Sequence, residues 1–492
     1  MEMNVAWNVW WDIFVFPFRH LLFINCILSI AIIFFQRKNP ASVWTWLLLL
    51  YFIPVVGFIF YLLIGGDMHK SRMFRTKEVE DHIYEAIRSQ EVSIRTMTLQ
   101  EESPHLRKYS DLIFYNLETA GAMLTEHNRV KIFTDGNAKF NTLLEDMERA
   151  KEYIHIQYYI IKNDVLFKRI SDVLCKKARE GVEIRILCDG MGGRFVSARF
   201  WKRLQSSGIH TAVFFPPLLG PLNLRINYRN HRKIVVIDGE IGYVGGFNIG
   251  KEYVGLDDRF GYWRDTHLRI EGAAVSSLQV RFILDWNYAA RDHLLDDESR
   301  YFRQTKEKLG NSQIQIISSG PDSNLQNVRN NYLRLINKAE KSIYIQTPYF
   351  IPDEAIYSAL IMAAYSGVEV NIMIPCKPDH LFVYWATYSY IGDLIMAGAR
   401  CYTYDNGFLH AKGLVVDEEV LCYGTANMDI RSFKLNFEVN AVVYDEREAE
   451  KMADVFRKDL EVCTRITKEL YVSRGLAVRF KEQVCRLLSP LL

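Results

Sequence analysis

The chain has 492 residues, enough for two or three domains, of which 49% are hydrophobic and 24% charged. Its formal net charge is only +2, so bulk charge gives no case for a nucleic-acid partner. The eight cysteines are scattered, with no Cys-x-x-Cys pair and no His-rich cluster, which argues against a metal site or a disulfide framework and for reduced cytosolic thiols.

No charged residue occurs between positions 39 and 66, and residues 42–64 are long enough to cross a bilayer as a helix. Pro54 and Gly57 are tolerable in such a span. An earlier apolar run, 21–35, is shorter and has Arg19 and His20 at its edge. It either spans, starting near Phe14, or lies in the interface. Trp7, Trp10 and Trp11 read as interfacial anchors. A cleavable signal peptide is disfavoured, because no small-residue cleavage site follows Phe35 and a second apolar run comes directly after it. Arg37 and Lys38 lie between the runs, and Lys70, Arg72, Arg75 and Lys77 follow the second. That bias places the C-terminal bulk on the cytoplasmic side of the membrane, and a hairpin returns the N-terminus to the same side. Residues 1–70 are therefore expected to be a multi-pass, transmembrane helical hairpin with no catalytic role.

Residues 71–126 are polar and read as a helical or partly ordered connector. Beyond them the chain repeats itself. LLEDMERAKEYIHIQYYIIKNDVLFKRI has its counterpart in YLRLINKAEKSIYIQTPYFIPDEAIYSAL, with Gln157 matching Gln346 and Asp164 matching Asp353 at one offset. GVEIRILCD and GVEVNIMIP follow in the same order. Strand and helix signals alternate, as in α/β domains with helices on both sheet faces. The boundary is expected in the charged segment 297–309, giving halves at 127–298 and 299–492. A duplication of this kind predicts a pseudo-twofold pair.

Each half carries the sequence His-x-Lys-x4-Asp: His231, Lys233 and Asp238, then His410, Lys412 and Asp417. Both motifs run on alike, as HRKIVVIDGEIGYVGGFN and HAKGLVVDEEVLCYGTAN, each ending Gly-x-x-Asn at Asn248 and Asn427. Side chains alternate along a strand, so each His shares a face with its Lys. Asp238 lies an odd number of residues from His231 and faces away. A turn role, with Asp238-Gly239 closing a hairpin, is therefore preferred for it, although the motif as a unit is the candidate catalytic set. Two satisfied core histidines do not account for a repeat of this length.

These paired motifs resemble the phospholipase D superfamily. The wider pattern is similar to the bacterial cardiolipin synthases. It includes RKNPASVWTWLLLLYFIPVVGFIFYLLIGG, IHIQYYII, WRDTHLRIEG, QTPYFIPDE and the terminal LLSPLL, nearly the whole chain. The resemblance implies two fused phospholipase D-like α/β domains, with mixed sheets flanked by helices, behind the membrane hairpin. It also implies that both His and both Lys converge at the pseudo-twofold axis.

The implied reaction is phosphatidyl transfer between two phosphatidylglycerol molecules of a bacterial cell membrane, giving cardiolipin and glycerol. The alternative is a membrane-anchored phospholipase D with water as acceptor, and the motifs do not separate the two. One neutral imidazole would attack phosphorus, and the other would protonate the leaving oxygen and then activate the incoming alcohol. Family analogy puts the nucleophile at His231. Lys233 and Lys412 would stabilise the anionic oxygens, and the matched offsets of Asn248 and Asn427 favour phosphate binding. Each His needs an acid at its other ring nitrogen. Asp265 and Glu438, on the strand after each motif, fill that role in the resemblance. No metal and no cofactor is expected.

His155 reads as packed, and His267, two residues from Asp265, as a neighbour of the site outside the candidate set. His380 is a further histidine of note, and Arg431 and Ser432 suit a supporting role. Residues 473–492 read either as a packed C-terminal helix or as an amphipathic helix touching lipid, with packing preferred. Oligomeric state and acyl-chain selectivity are not legible.

Overall fold

Pro54 interrupts the second apolar run, and the way the chain absorbs the break is the main feature of the N-terminal unit. In the computed structural model the described residues are 16–35, 40–61, 104–216, 228–291, 294, 298–302, 308–323, 325–487 and 489. Two compact units result, one carrying the N-terminal helices and the other the rest of the described chain, apart from Tyr228. The first unit contains α1 (Phe16–Phe35), α2 (Pro40–Phe52) and α3 (Pro54–Phe60). The single helix expected over 42–64 is thus broken at Ile53, which has φ −131° and ψ 66°. Pro54 has no N–H to return to the Leu50 carbonyl. Asn25 of α1 supplies the missing donor: its Nδ2 donates to Leu50 O at 3.0 Å and to Pro54 O at 3.1 Å. Ile32, Trp46, Leu50 and Tyr61 form a small core, while Phe23, Ile27, Ile30, Trp44, Leu48 and Tyr51 are exposed. Among the described residues no helix is long and apolar enough to cross a membrane, so the expected transmembrane hairpin is not seen as two long spans. Trp7, Trp10, Trp11 and the basic residues at 37, 38, 70, 72, 75 and 77 lie outside the described residues.

The larger unit has two layers of helices around one continuous sheet. Its helices of nine or more residues in chain order are α4 (Ser110–Ala120), α5 (Gly136–Arg149), α6 (Val165–Arg179), α7 (Ala198–Ser206), α8 (Ala274–Ala290), α9 (Asn327–Lys338), α10 (Glu354–Tyr365), α11 (Leu381–Met396), α12 (Glu446–Asp459) and α13 (Leu476–Leu487). The strands of the first half are β1 (Thr125–Phe133), β2 (Tyr153–Tyr158), β3 (Glu183–Asp189), β4 (His210–Phe214), β5 (Ile234–Ile237), β6 (Ile241–Gly245) and β7 (His267–Glu271). Those of the second are β8 (Ser312–Ser319), β9 (Ser342–Gln346), β10 (Glu369–Pro375), β11 (Arg400–Tyr404), β12 (Gly413–Val416), β13 (Val420–Gly424), β14 (Asn436–Tyr444) and β15 (Cys463–Ile466).

Starting at β1 the sheet runs β1-β7-β6-β5-β2-β3-β4, and starting at β8 it runs β8-β14-β13-β12-β9-β10-β11-β15. The two orders correspond strand for strand, with β15 added at one edge. β1 and β8 pair antiparallel, Thr125 opposite Ile314, and join the halves. The duplication read from sequence is therefore a duplication of topology about the β1–β8 seam. In both halves the hairpin carrying the motif is central, which is why β5 and β12 are apolar at every position and fully buried.

Each half has its own core. Phe140, Leu143, Ile156, Ile170, Ile186 and Val235 belong to the first, and Tyr332, Leu335, Ile345, Ile372, Leu414 and Val442 to the second. Leu106, Tyr109, Leu112, Leu117 and Leu124 also pack in the second core. The described end of the segment read as a connector is thus a structural part of the distant half, with Asn116 Nδ2 donating to Gln315 Oε1 at 3.1 Å.

Candidate active site

The motif hairpins turn on residues with positive φ. Asp238 and Gly239 have φ 53° and 68°, and Asp417 and Glu418 have 54° and 58°. Two such residues in succession match the right-handed twist of the paired strands. Asp238 accepts hydrogen bonds from the backbone N–H groups of Lys151, Glu152 and Tyr153 at 2.8, 2.8 and 2.9 Å. Asp417 does the same for Glu340, Lys341 and Ser342, and Lys108 Nζ lies 2.6 Å from it. Both carboxylates sit at the turn, beyond the strand from the histidines, and neither lines the pocket described below. The structure separates the motif Asp pair from the other candidates grouped with it as catalytic, because its oxygens are used to fasten the entry to β2 and β9.

His231 and Lys233 lie immediately before β5, outside any strand, as His410 and Lys412 lie before β12. Short parallel ladders set their depth. Arg229–Asn230 pairs with Asn436 and Phe437, and Phe408–Leu409 pairs with Trp263 and Arg264. His231 N–H then donates to Phe437 O at 2.9 Å, and His410 N–H to Arg264 O at 2.7 Å. This register brings each ring to a carboxylate of the opposite half. His231 Nδ1 is 3.0 Å from both carboxylate oxygens of Glu438, and His410 Nδ1 is 2.6 Å from Asp265 Oδ2.

The two carboxylates are seated differently. Asp265 lies so close to the chain that a Cβ on Gly246 would fall 1.9 Å from its Oδ1, so only glycine fits there. Thr425 occupies the equivalent place in the second half and donates to Glu438 Oε2 at 2.6 Å. Buried arginines tie the halves together behind the site. Arg232 donates to Asp285 at 2.6 Å and to Ser318 Oγ at 2.6 Å, and Arg264 Nη2 is 2.8 Å from Asp459. The matched glutamines hold those acids: Gln157 donates to Asp285 at 2.6 Å and Gln346 to Asp459 at 2.8 Å.

Burial governs the charge states. It lowers His231 to about 4 and His410 to about 4, against the pull of Glu438 and Asp265. It also brings Lys233 to about 7 and Lys412 to about 8. Although burial opposes it, Lys412 and His410 hold the Asp265 carboxyl below its ordinary range, and His231 and Lys233 do so for Glu438. With each Nδ1 facing a carboxylate, the proton of a neutral imidazole sits there and leaves Nε2 as a lone pair. Lys233 Nζ donates to His231 O at 2.6 Å, and Lys412 Nζ to His410 O.

A pocket of about 550 Å³ contains His231, His410, Asn248 and Asn427 in its lining. Asn248 is committed to the fold, accepting from Ile160 N–H at 3.1 Å and donating to Tyr253 OH at 3.0 Å. Asn427 Oδ1 is buried with no hydrogen-bond partner among the described residues. Arg431, Ser432 and His380 also line the pocket, whereas His155 is packed, stacked on Phe282 at 4.5 Å. His267 is wholly buried outside the pocket lining, with neither ring nitrogen bonded to a described residue. Sequence reading missed several pocket residues. Tyr159 and Trp263 pack edge-on to His231 and His410, each with ring centres 5.0 Å apart. Arg229 stands 3.5 Å from the buried Asp189. Asp429, whose carboxyl burial pushes up to about 6, takes the place of Gly250 in the first half. The available signal was position: Arg229 and Trp263 each lie two residues before a candidate already named.

Residues 143–289 and 332–460 match the family model described as cardiolipin synthase, phospholipase D-like domain. The chain belongs to the cardiolipin synthase family. Residues 23–66 match a second model, described as a phospholipase D-nuclease N-terminal segment. The major cardiolipin synthase ClsA of Bacillus subtilis is 50% identical over 470 residues, 95% of this chain and 97% of that one. A cardiolipin synthase of Listeria monocytogenes is 47% identical over 473 residues, 96% and 98% of the two chains. The crystal structure of a phosphatidylserine synthase from Haemophilus influenzae superposes with a TM-score of 0.58 at 15% identity, over 74% of this chain and 95% of that one, and shares the fold. As a cardiolipin synthase family member the chain is an enzyme of the phospholipase D superfamily, acting on phospholipid.

Proposed function

We propose that this cardiolipin synthase family member moves a phosphatidyl group from one phosphatidylglycerol to the glycerol hydroxyl of a second, releasing glycerol. The observation that carries this reading is the crossed pairing of each pocket histidine with a buried carboxylate of the other half. In our reading His231 Nε2 attacks phosphorus and forms a phosphohistidine, with Glu438 stabilising the charge that develops on the ring. The bound phosphate anion and Asp265 together favour the charged form of His410, which protonates the departing glycerol oxygen, then takes the proton of the incoming hydroxyl. A bound anionic phosphate favours the charged forms of Lys233 and Lys412, which neutralise its oxygens. Asn427 contributes an amide to phosphate binding, and Asn248 shapes the wall.

The N-terminal helices, with many large apolar side chains outward, serve in this reading as a membrane hairpin that leaves the enzyme body on the cytoplasmic side. Tethering donor, acceptor and enzyme to one bilayer raises their effective concentration. The test is to supply labelled phosphatidylglycerol to the purified full chain and identify every product. Cardiolipin and glycerol in equal amounts are expected. Phosphatidic acid as the main lipid product would instead make water the acceptor.

A further inference from the structure

The last helix presents two faces that the fold treats differently. Cys485 of α13 is buried in a small apolar cluster with Ala386 and Ile351, against which Val383 packs. Ile351 and Val383 both line the active-site pocket. Lys481 lies over the Trp385 ring at 5.5 Å and Arg486 over the Tyr390 ring at 4.7 Å, so α13 and α11 run in the same direction. The first turns of α13 therefore lie toward the end of α11 where Leu381 and Phe382 are exposed, next to the pocket residues His380 and Val383.

With 100° between successive residues, Leu476, Phe480, Val484 and Leu487 form one stripe on the side of α13 away from Cys485. They are 82%, 71%, 39% and 79% exposed. Arg479 and Lys481, also exposed, flank the stripe on its two sides. The only acid of the helix, Glu482, is buried and held by Arg474 at 2.8 Å. The outward surface of α13 is thus apolar with cationic margins and carries no exposed acid.

We propose that this face of α13, together with Leu381 and Phe382, docks on the headgroup region of an anionic phospholipid leaflet and holds the pocket mouth at the membrane surface. Charge selects the occupant. A second copy meeting this face symmetrically would set cations against cations, whereas lipid phosphates complement them, each basic residue near such a surface strengthening attraction roughly fivefold. An apolar stripe between cations is also the pattern of a helix lying in the interface plane. The N-terminal helices would tether the enzyme, and α13, part of the enzyme body itself, would orient the pocket. This inference does not depend on which alcohol accepts the phosphatidyl group.

The test uses the full chain reconstituted in phosphatidylglycerol vesicles and in neutral phosphatidylcholine vesicles. Acetylation of the exposed Lys481 is followed by mass spectrometry, with Lys341, whose side chain is 72% exposed elsewhere on the body, as internal reference. Lys481 should react several-fold more slowly on the anionic vesicles, with Lys341 little changed. Equal Lys481 rates on both would overturn the proposal. Phe480→Asp/Leu487→Asp changes only exposed side chains. It should abolish the protection and lower phosphatidyl transfer on vesicles on the order of tenfold, while transfer with monomeric short-chain phosphatidylglycerol is kept. Equal loss on both substrates would make the stripe a structural feature. A drop in the particle mass of the detergent-purified variant would make it a contact between copies. Either result sinks the idea.

Discussion

Asp265 of the first half accepts the Nδ1 proton of His410 of the second at 2.6 Å, and Glu438 returns the arrangement to His231 at 3.0 Å. Each histidine takes its carboxylate from the other repeat. The site is therefore complete only when the two halves meet, and the buried Arg232–Ser318 and Arg264–Asp459 contacts behind it hold that meeting in register.

Asp265→Asn should leave the fold intact and lower turnover about a hundredfold or more, because the amide neither fixes the tautomer nor stabilises the imidazolium. Glu438→Gln should behave alike. Steady-state rates beside thermal melts make the check, and near-normal turnover in a folded variant would remove that carboxylate from the mechanism.

Lys233 and Lys412, brought by burial to about 7 and about 8, lose charge just above neutral pH in the free enzyme. Deprotonation removes the cation the phosphate needs, so kcat/KM should fall as pH rises through that window. A bound phosphate favours the charged amines, so kcat should fall only at higher pH. Parallel profiles of kcat and kcat/KM would contradict this. Lys233→Ala or Lys412→Ala should each reduce turnover on the order of a hundredfold.

Asp238→Ala leaves three backbone N–H groups without their acceptor, and Asp417→Ala does the same at the second turn. Each should cost about 3 kcal/mol or more of stability. The protein that remains folded should turn over nearly normally. A stable but inactive variant would instead place these acids in the chemistry.

Asn25→Leu removes the donor that serves the Leu50 and Pro54 carbonyls, and should lower the melting temperature of the full chain in detergent. Pro54→Ala restores an N–H able to reach Leu50, so the double variant should recover part of the loss. No recovery would mean that the Asn25 amide matters for some other reason.

Asp265 and Glu438 were singled out by the family resemblance, whereas the duplication, the α/β class, the hairpin at Asp238-Gly239 and the repeated His, Lys and Asn positions were legible in the chain alone. They rest on local rules: alternation along a strand, a turn that needs positive φ, and an offset that repeats. Pro54 was read as tolerable within one span, and the break there depends on Asn25, which lies on another helix and carried no local mark. Tertiary structure decided which acid serves which histidine. Asp265 and Glu438 stand at equivalent places of the repeat, and sequence order does not reveal a crossed pairing that the ladders Arg229–Asn230 and Phe408–Leu409 create between halves. The odd spacing already turned Asp238 away from His231, and tertiary structure added the backbone N–H groups of Lys151, Glu152 and Tyr153 that it fastens. Tertiary structure also decided the charge states, because the low values at both histidines arise from burial by segments far apart in the chain.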